Sequence, residues 1–140
     1  MSDILNDPMP QLPGYALRRA HTAIAAELAG RLATLDLRQA DASVLILVGA
    51  NPGVTAAALG RQLDIQRANM VPLLKRLEDA GLIEREPIDG KSQGLELRPA
   101  GQERMRAARA IIDVFEAEVL QRIPAEHRDH LVPALNALWR

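Results

Sequence analysis

The sequence predicts a mainly α-helical protein with one short β-hairpin. Apolar residues recur at spacings of three and four along several segments, which is the period of an amphipathic helix. Aromatic residues make up only 2% of the chain, so aliphatic side chains must build the core, and these suit packed helices. Two short segments with partial alternation flank an Asp-Gly pair, which is typical of a hairpin. At 140 residues, we expect a single domain.

The amino-terminal half of the chain predicts an arm followed by two helices. Residues 1–13 contain three prolines and no sustained period, and they predict an extended arm. From Gly14 as far as Leu35 the three-four spacing predicts a long first helix. The apolar run 41–49 predicts a buried second helix, which the turn residues 51–53 end.

A short third helix and a polar-faced fourth helix are predicted next. Thr55 is expected to cap the third helix, over residues 56–63. The fourth helix is predicted over Gln66 to Ala80, with Gly81 as the glycine that ends it and Pro72 as an internal kink. Three apolar residues are expected on its buried face: Val71, Leu74 and Leu77.

The remainder predicts a hairpin and two further helices. Residues 82–86 and 94–98 are the predicted strands, and the segment between them forms a polar tip. Pro99 opens a long fifth helix, and Pro124 separates that helix from a last one.

This order of elements predicts a winged helix-turn-helix, in which the second helix of the pair enters the major groove of DNA. Gln66, Arg67 and Asn69 lie at the leading end of that helix. Gln and Asn can pair with adenine and Arg with guanine, so these residues suit direct reading of double-stranded DNA. Arg61, Lys75 and Arg76 add favourable local charge, and Lys75 and Arg76 are expected to contact phosphates.

Two alternatives to DNA reading stay open at this point. The same polar residues also fit an ordinary solvated helix face, and the net charge of -1 gives no nucleic-acid signature. A winged-helix module that binds a protein partner without reading DNA is therefore the alternative function. A steep dependence of affinity on salt would favour DNA. A small enzyme is a third, unsupported possibility.

Composition and motifs exclude several other classes of function. The chain has no cysteine, which removes disulfides, thiolate metal sites and thiol redox chemistry. Neither a signal-like segment nor a long apolar run is present, so we expect a cytoplasmic protein without a membrane span. No nucleophile motif or phosphate-binding glycine loop supports an enzyme or a cofactor. His127 and His130 lack a third ligand and are interpreted as solvated residues.

Three segments in combination resemble the MarR (multiple antibiotic resistance regulator) family. They are Leu59–Ile65, Leu74–Ile83, and Asp89–Lys91 followed by Leu97–Gly101. The resemblance covers roughly Pro13 to the carboxyl terminus. It implies a homodimeric repressor that binds a pseudo-palindromic operator and is released by a small ligand, commonly an aromatic acid.

The resemblance also implies how the chain is divided. Residues 14–36 and 99–140 would form a dimerisation domain, and residues 37–98 would form the DNA-binding winged helix. Lys91 and Ser92, at the tip of the wing, would reach the minor groove or its phosphates.

Two positions depart from the family pattern. Gly90 and Lys91 stand where many members carry two arginines, and a lysine lacks the planar fork of arginine. We therefore expect weaker wing contacts, or contacts displaced onto Ser92 and Gln93. Arg38 stands where the family usually has a Ser or Thr that caps the second helix.

The implied ligand site lies between the dimerisation helices and the winged helix. Its candidate residues lie on the first and fifth helices: Tyr15, Arg18, Arg19, His21, Arg109 and Ile112. Arg18 or Arg109 would pair with a carboxylate of the ligand. The alternative is that these arginines are solvated or pair with Glu27 or Asp113.

Overall fold

The computed structural model describes residues 5–140 of the chain. Within this range it contains six α-helices and two β-strands in the predicted order, which confirms the mainly α-helical winged fold. Their bounds are α1 Pro13–Ala33, α2 Gln39–Ala50, α3 Ala56–Leu63, α4 Arg67–Asp79, β1 Ile83–Pro87, β2 Gln93–Leu97, α5 Pro99–Arg122 and α6 Arg128–Asn136.

The predicted arm is only partly extended. Residues 1–4 lie outside the described residues. Met9–Gln11 form a 3-10 turn, so an extended conformation is wrong for this segment. Proline fixes a φ angle that suits a first helical turn as well as an extended chain, and α1 accordingly begins at Pro13 itself.

The start of α2 is capped by the side chain of Asp41 and not by that of Arg38. Arg38 occupies the N-cap position without a side-chain cap, and the carboxylate of Asp41 accepts the Arg38 backbone N–H at 2.8 Å instead. Asp41 is 2% exposed, and its other oxygen accepts from the guanidinium of Arg76 on α4. One buried carboxylate therefore begins α2 and joins it to α4.

The helix-turn-helix pair is bounded as predicted. The hydroxyl of Thr55 accepts the backbone N–H of Ala58 at 3.2 Å, which confirms Thr55 as the cap of α3. Gly81, at a φ of 75°, follows α4 and adopts the left-handed conformation that glycine tolerates best. Pro72 lies inside α4, where the helix continues past it.

The buried face of α4 differs from the predicted one. Val71 is 57% exposed, so its assignment to the core is wrong. The residues that face the core recur at i, i+3, i+4 and i+7, which is a full helical stripe. They are Met70, Leu73, Leu74 and Leu77.

The two strands pair in an antiparallel hairpin that is joined to the helices at its base. Ile83 pairs with Leu97, and the register continues to Pro87 opposite Gln93. Leu95 also forms a bridge with Val54, whose carbonyl accepts the Leu95 N–H at 2.8 Å. The segment before α3 thus fixes the position of the wing relative to the helix-turn-helix.

One continuous core lies beneath these elements. Its largest buried side chains come from four helices and both strands. They are Leu32, Val44, Leu45, Val48, Leu59, Leu74, Ile83 and Leu95.

Candidate nucleic-acid interface

An open groove of about 1090 Å³ runs between the helix-turn-helix and the wing. The start of α3, the amino-terminal half of α4 and the tip of the wing line it. It gathers Arg61, Gln66, Arg67, Lys91 and Ser92, which the sequence predicted as DNA-binding residues. A helix wall and a hairpin wall with cations on both sides give this groove the charge that a phosphate backbone attracts.

Arg85 is a groove residue that sequence reasoning missed. It lies on β1 opposite Leu95, and its Nε donates to the Glu78 carboxylate of α4 at 2.6 Å. The signal was present in the strand alternation, which places Arg85 on the same side as the buried Ile83. The Arg85–Glu78 bond connects the wing to α4.

The tip of the wing is a compact turn built on Asp89. Its carboxylate accepts the backbone N–H groups of Lys91 and Ser92 at 2.9 and 2.8 Å. These two hydrogen bonds hold the pKa of Asp89 below its usual value. The ionised carboxylate fixes the turn that presents Lys91, and its charge partly offsets that of the lysine.

Three predicted DNA contacts lie outside the groove lining. Lys75 is exposed and pairs with Asp79 at 3.0 Å. Arg76, predicted to contact a phosphate, instead binds Asp41, because it emerges on the side of α4 that faces α2. Asn69 is exposed and lies two turns before Arg76, on the same side of the helix. The pair with Asp41 gives Arg76 a structural role, and its contact with a phosphate stays a prediction.

The predicted ligand residues do not converge within one protomer. Arg31 pairs with Glu118, and Arg122 pairs with Glu27 at 2.7 Å, so α1 and α5 are antiparallel. At 1.5 Å per residue, this arrangement separates the Tyr15 end of α1 from the Arg109 turn of α5 by roughly 37 Å.

The predicted ligand residues on α1 and those on α5 form separate contacts. The guanidinium carbons of Arg18 and Arg19 lie 5.3 and 6.0 Å from the centre of the Tyr15 ring. Arg109 donates to Asp113 at 2.9 Å, which was the alternative pairing considered from the sequence. Ile112 is half-buried against the core, and His21 is exposed.

The rings of His127 and His130 lie 6.2 Å apart, edge to face. None of the described helices is both long enough and apolar enough to cross a membrane.

A helix-turn-helix followed by a two-stranded wing, with a cationic groove between them, defines the class of winged helix-turn-helix DNA-binding proteins. The model of the MarR family matches residues 35–92. The chain belongs to the MarR family of transcription regulators. Members of this family are generally not enzymes.

Solved structures resemble the fold over its whole length. The transcriptional repressor CouR, bound to a 23-mer DNA duplex, is 30% identical with a TM-score of 0.90, covering 99% of this chain and 100% of that one. CouR bound to p-coumaroyl-CoA is 28% identical with a TM-score of 0.86, covering 99% of both chains.

A second relative is the HTH-type transcriptional repressor Rv2887 of Mycobacterium tuberculosis. It is 29% identical over 114 residues, which cover 80% of this chain and 82% of the relative. Its complex with salicylic acid has a TM-score of 0.72 and is 26% identical, covering 99% of both chains.

Proposed function

We propose that this protein is a homodimeric repressor that binds a pseudo-palindromic operator and leaves it when a small aromatic ligand binds. The observation that carries the proposal is the groove between α4 and the wing, which combines hydrogen-bonding side chains with cations from three elements. The DNA complex of CouR supports the same use of the same fold. A repressor acts where the DNA is, so a cytoplasmic location is part of this proposal.

Each groove residue has a role that follows from its chemistry. Gln66 and Arg67, at the leading end of α4, would read base edges in the major groove. Arg61 and Lys91 would contact phosphates on either side, and the Ser92 hydroxyl would add a further phosphate contact. The exposed Lys75 would reach the same duplex from the outward side of α4, and the exposed Asn69 would reach it from the side of α4 that carries Arg76.

Exposed apolar residues support a homodimer. Helix α1 spans 21 residues and buries only Leu32, and α6 buries none of its residues. Large apolar side chains on these two helices and beside them are exposed in the protomer: Leu12, Leu17, Val132, Leu135, Leu138 and Trp139. We assign dimerisation to residues 14–36 and 99–140, and DNA binding to residues 37–98. A second copy would cover the exposed apolar surface.

The first experiment is selection of random double-stranded DNA by the purified protein. We expect a pseudo-palindrome with half-sites about ten base pairs apart, because a two-fold dimer presents its two α4 helices to successive major grooves. Arg67→Ala is expected to weaken binding by about tenfold and to relax one base position.

The matched control is Arg106→Ala, on α5, where the exposed guanidinium donates to Gln102 of its own helix at 3.4 Å. Its affinity for the selected DNA is expected to equal that of the wild type. The absence of any enriched sequence, at any salt concentration, would overturn the proposed function.

The ligand is proposed to be an aromatic carboxylic acid or its coenzyme A thioester. Rv2887 has been solved with salicylic acid and CouR with p-coumaroyl-CoA. In this chain the Tyr15 ring, with Arg18 and Arg19 beside it, offers an aromatic surface and two cations. Arg109 pairs with Asp113, so the α1 cluster is the better candidate for the anionic group of the ligand, which is the carboxylate of the free acid or a phosphate of the thioester.

Salicylate and p-coumaroyl-CoA, each titrated into the protein–DNA complex, test this assignment. The effective compound must bind the DNA-free state more tightly, so fluorescence anisotropy of labelled DNA is expected to fall as it is added. Arg18→Ala is expected to raise the concentration needed by about tenfold, whereas Arg109→Ala leaves it unchanged. The reverse order of the two variants would move the site to α5.

A further inference from the structure

The amino-terminal half of the outward face of α4 is apolar, where a helix that enters DNA is expected to be polar. Val71 is 57% exposed and lines the groove. Ala68 and Pro72 are also exposed. An exposed valine gains nothing from water, and Val71 lies outside the core cluster, so packing of the core does not explain an apolar side chain at this position.

Two bonds fix the rotation of α4 about its own axis. On one side of the helix Glu78 accepts from Arg85, so this side faces the wing. On another side Arg76 binds Asp41, so this side faces α2. The buried stripe that begins at Met70 faces the core between them.

The remaining side of α4 faces outward. Successive residues on an α-helix turn by about 100°, which places Ala68 and Pro72 directly opposite the buried stripe and Val71 between them and the wing. Arg67 lies one turn before Val71 on its wing side, and Gln66 precedes the helix as its N-cap. The exposed Lys75 and Asp79 continue the outward face toward the carboxyl end of α4. Polar side chains therefore flank this face at both ends, while apolar side chains occupy its middle.

Thymine presents the matching group. Its C5 methyl projects into the major groove and is the one apolar feature there that a valine or alanine can contact. We infer that α4 reads thymine methyl groups through its apolar outward face, with Val71 as the principal contact. This inference rests on the proposed function, because it assumes that α4 enters the major groove.

Single thymines of the selected DNA, replaced one at a time by deoxyuridine, test the inference. Deoxyuridine lacks the methyl group and keeps every hydrogen-bonding atom of thymine. With the wild-type protein, we expect about a fourfold loss of affinity at one thymine or more per half-site, which corresponds to one buried methyl group. With Val71→Ala, the same replacement is expected to have no effect at the thymine that Val71 contacts.

The control variant is Leu5→Ala, in the segment before α1, where the leucine is 84% exposed and lies outside both the groove and the residues assigned to dimerisation. It is expected to keep the fourfold response to deoxyuridine. If deoxyuridine has no effect at any position, or if Val71→Ala retains the full response, the methyl-reading role is overturned while DNA binding stands. Failure to bind any DNA sequence would overturn both this inference and the proposed function.

Discussion

Asp41→Ala is expected to lower the free energy of unfolding by about 3 kcal/mol, because it removes one partner of a buried ion pair and a helix cap together. The Asp41 carboxylate is 2% exposed and accepts from both the Arg38 backbone and the Arg76 guanidinium. The side chain of Arg76 is 41% exposed, so water can partly solvate it after the change, which keeps the loss at the lower end for buried pairs.

Urea unfolding followed by circular dichroism measures this loss. Asp113→Ala is the control, since it removes an exposed carboxylate from an ion pair within one helix, worth about 0.5 kcal/mol or less. Equal unfolding midpoints for the two variants would contradict the structural role of Asp41.

Variants of Asp41 and Arg76 also distinguish a structural role of Arg76 from a contact with a phosphate. If Arg76 acts through Asp41, the losses in stability from Asp41→Ala and Arg76→Ala are non-additive in the double variant. The slope of log affinity against log salt then stays unchanged in Arg76→Ala, measured at a temperature where the variant is folded. A slope smaller by about one would instead mark a lost phosphate contact.

Local patterns in the sequence were sufficient to predict the helices, the hairpin and part of the groove lining. The cap Thr55, the terminating Gly81 and the hairpin turn each depend on residues within a few positions, and all three were found from the sequence. Gln66 and Arg67 could be placed because the start of a recognition helix follows directly from the turn before it.

Contacts between distant segments account for what was missed. Asp41 and Arg76 are 35 positions apart, so no local pattern reports that they meet. The predicted ligand residues lie on both α1 and α5. The antiparallel arrangement that separates them is a property of the packed fold, so the sequence does not report it. Val71 was assigned to the core because it lies three residues before Leu74. The stripe that begins at Met70 has the full i, i+3, i+4 and i+7 spacing, and it is the one that is buried.

Gly101→Ala is expected to have the largest effect on the fold. Gly101 is buried in the first turn of α5, and a Cβ atom there would lie 1.9 Å from the carbonyl oxygen of Leu82. That oxygen also accepts the Arg98 N–H at 2.9 Å, and the Leu82 N–H is bonded to the Leu77 carbonyl at 3.0 Å. The backbone of Leu82 is therefore held on both sides and cannot move aside without breaking a hydrogen bond.

Relief of this clash requires α5 to move away from the base of the wing. We expect a loss of at least about 3 kcal/mol in the free energy of unfolding, the upper range for overpacking. Gly30→Ala, inside α1 with open space around its Cβ position, is the matched control and is expected to be neutral or to stabilise by up to about 1 kcal/mol.

DNA binding should reveal how the variant accommodates the added methyl group. If α5 shifts while the chain stays folded, the wing moves relative to α4, and the affinity of Gly101→Ala for the selected DNA falls even where circular dichroism shows native helix content. If the unfolding midpoint and the affinity both match those of the wild type, the close contact between α5 and Leu82 does not exist. The wing would then be positioned by its bridge to Val54 and the Arg85–Glu78 bond alone.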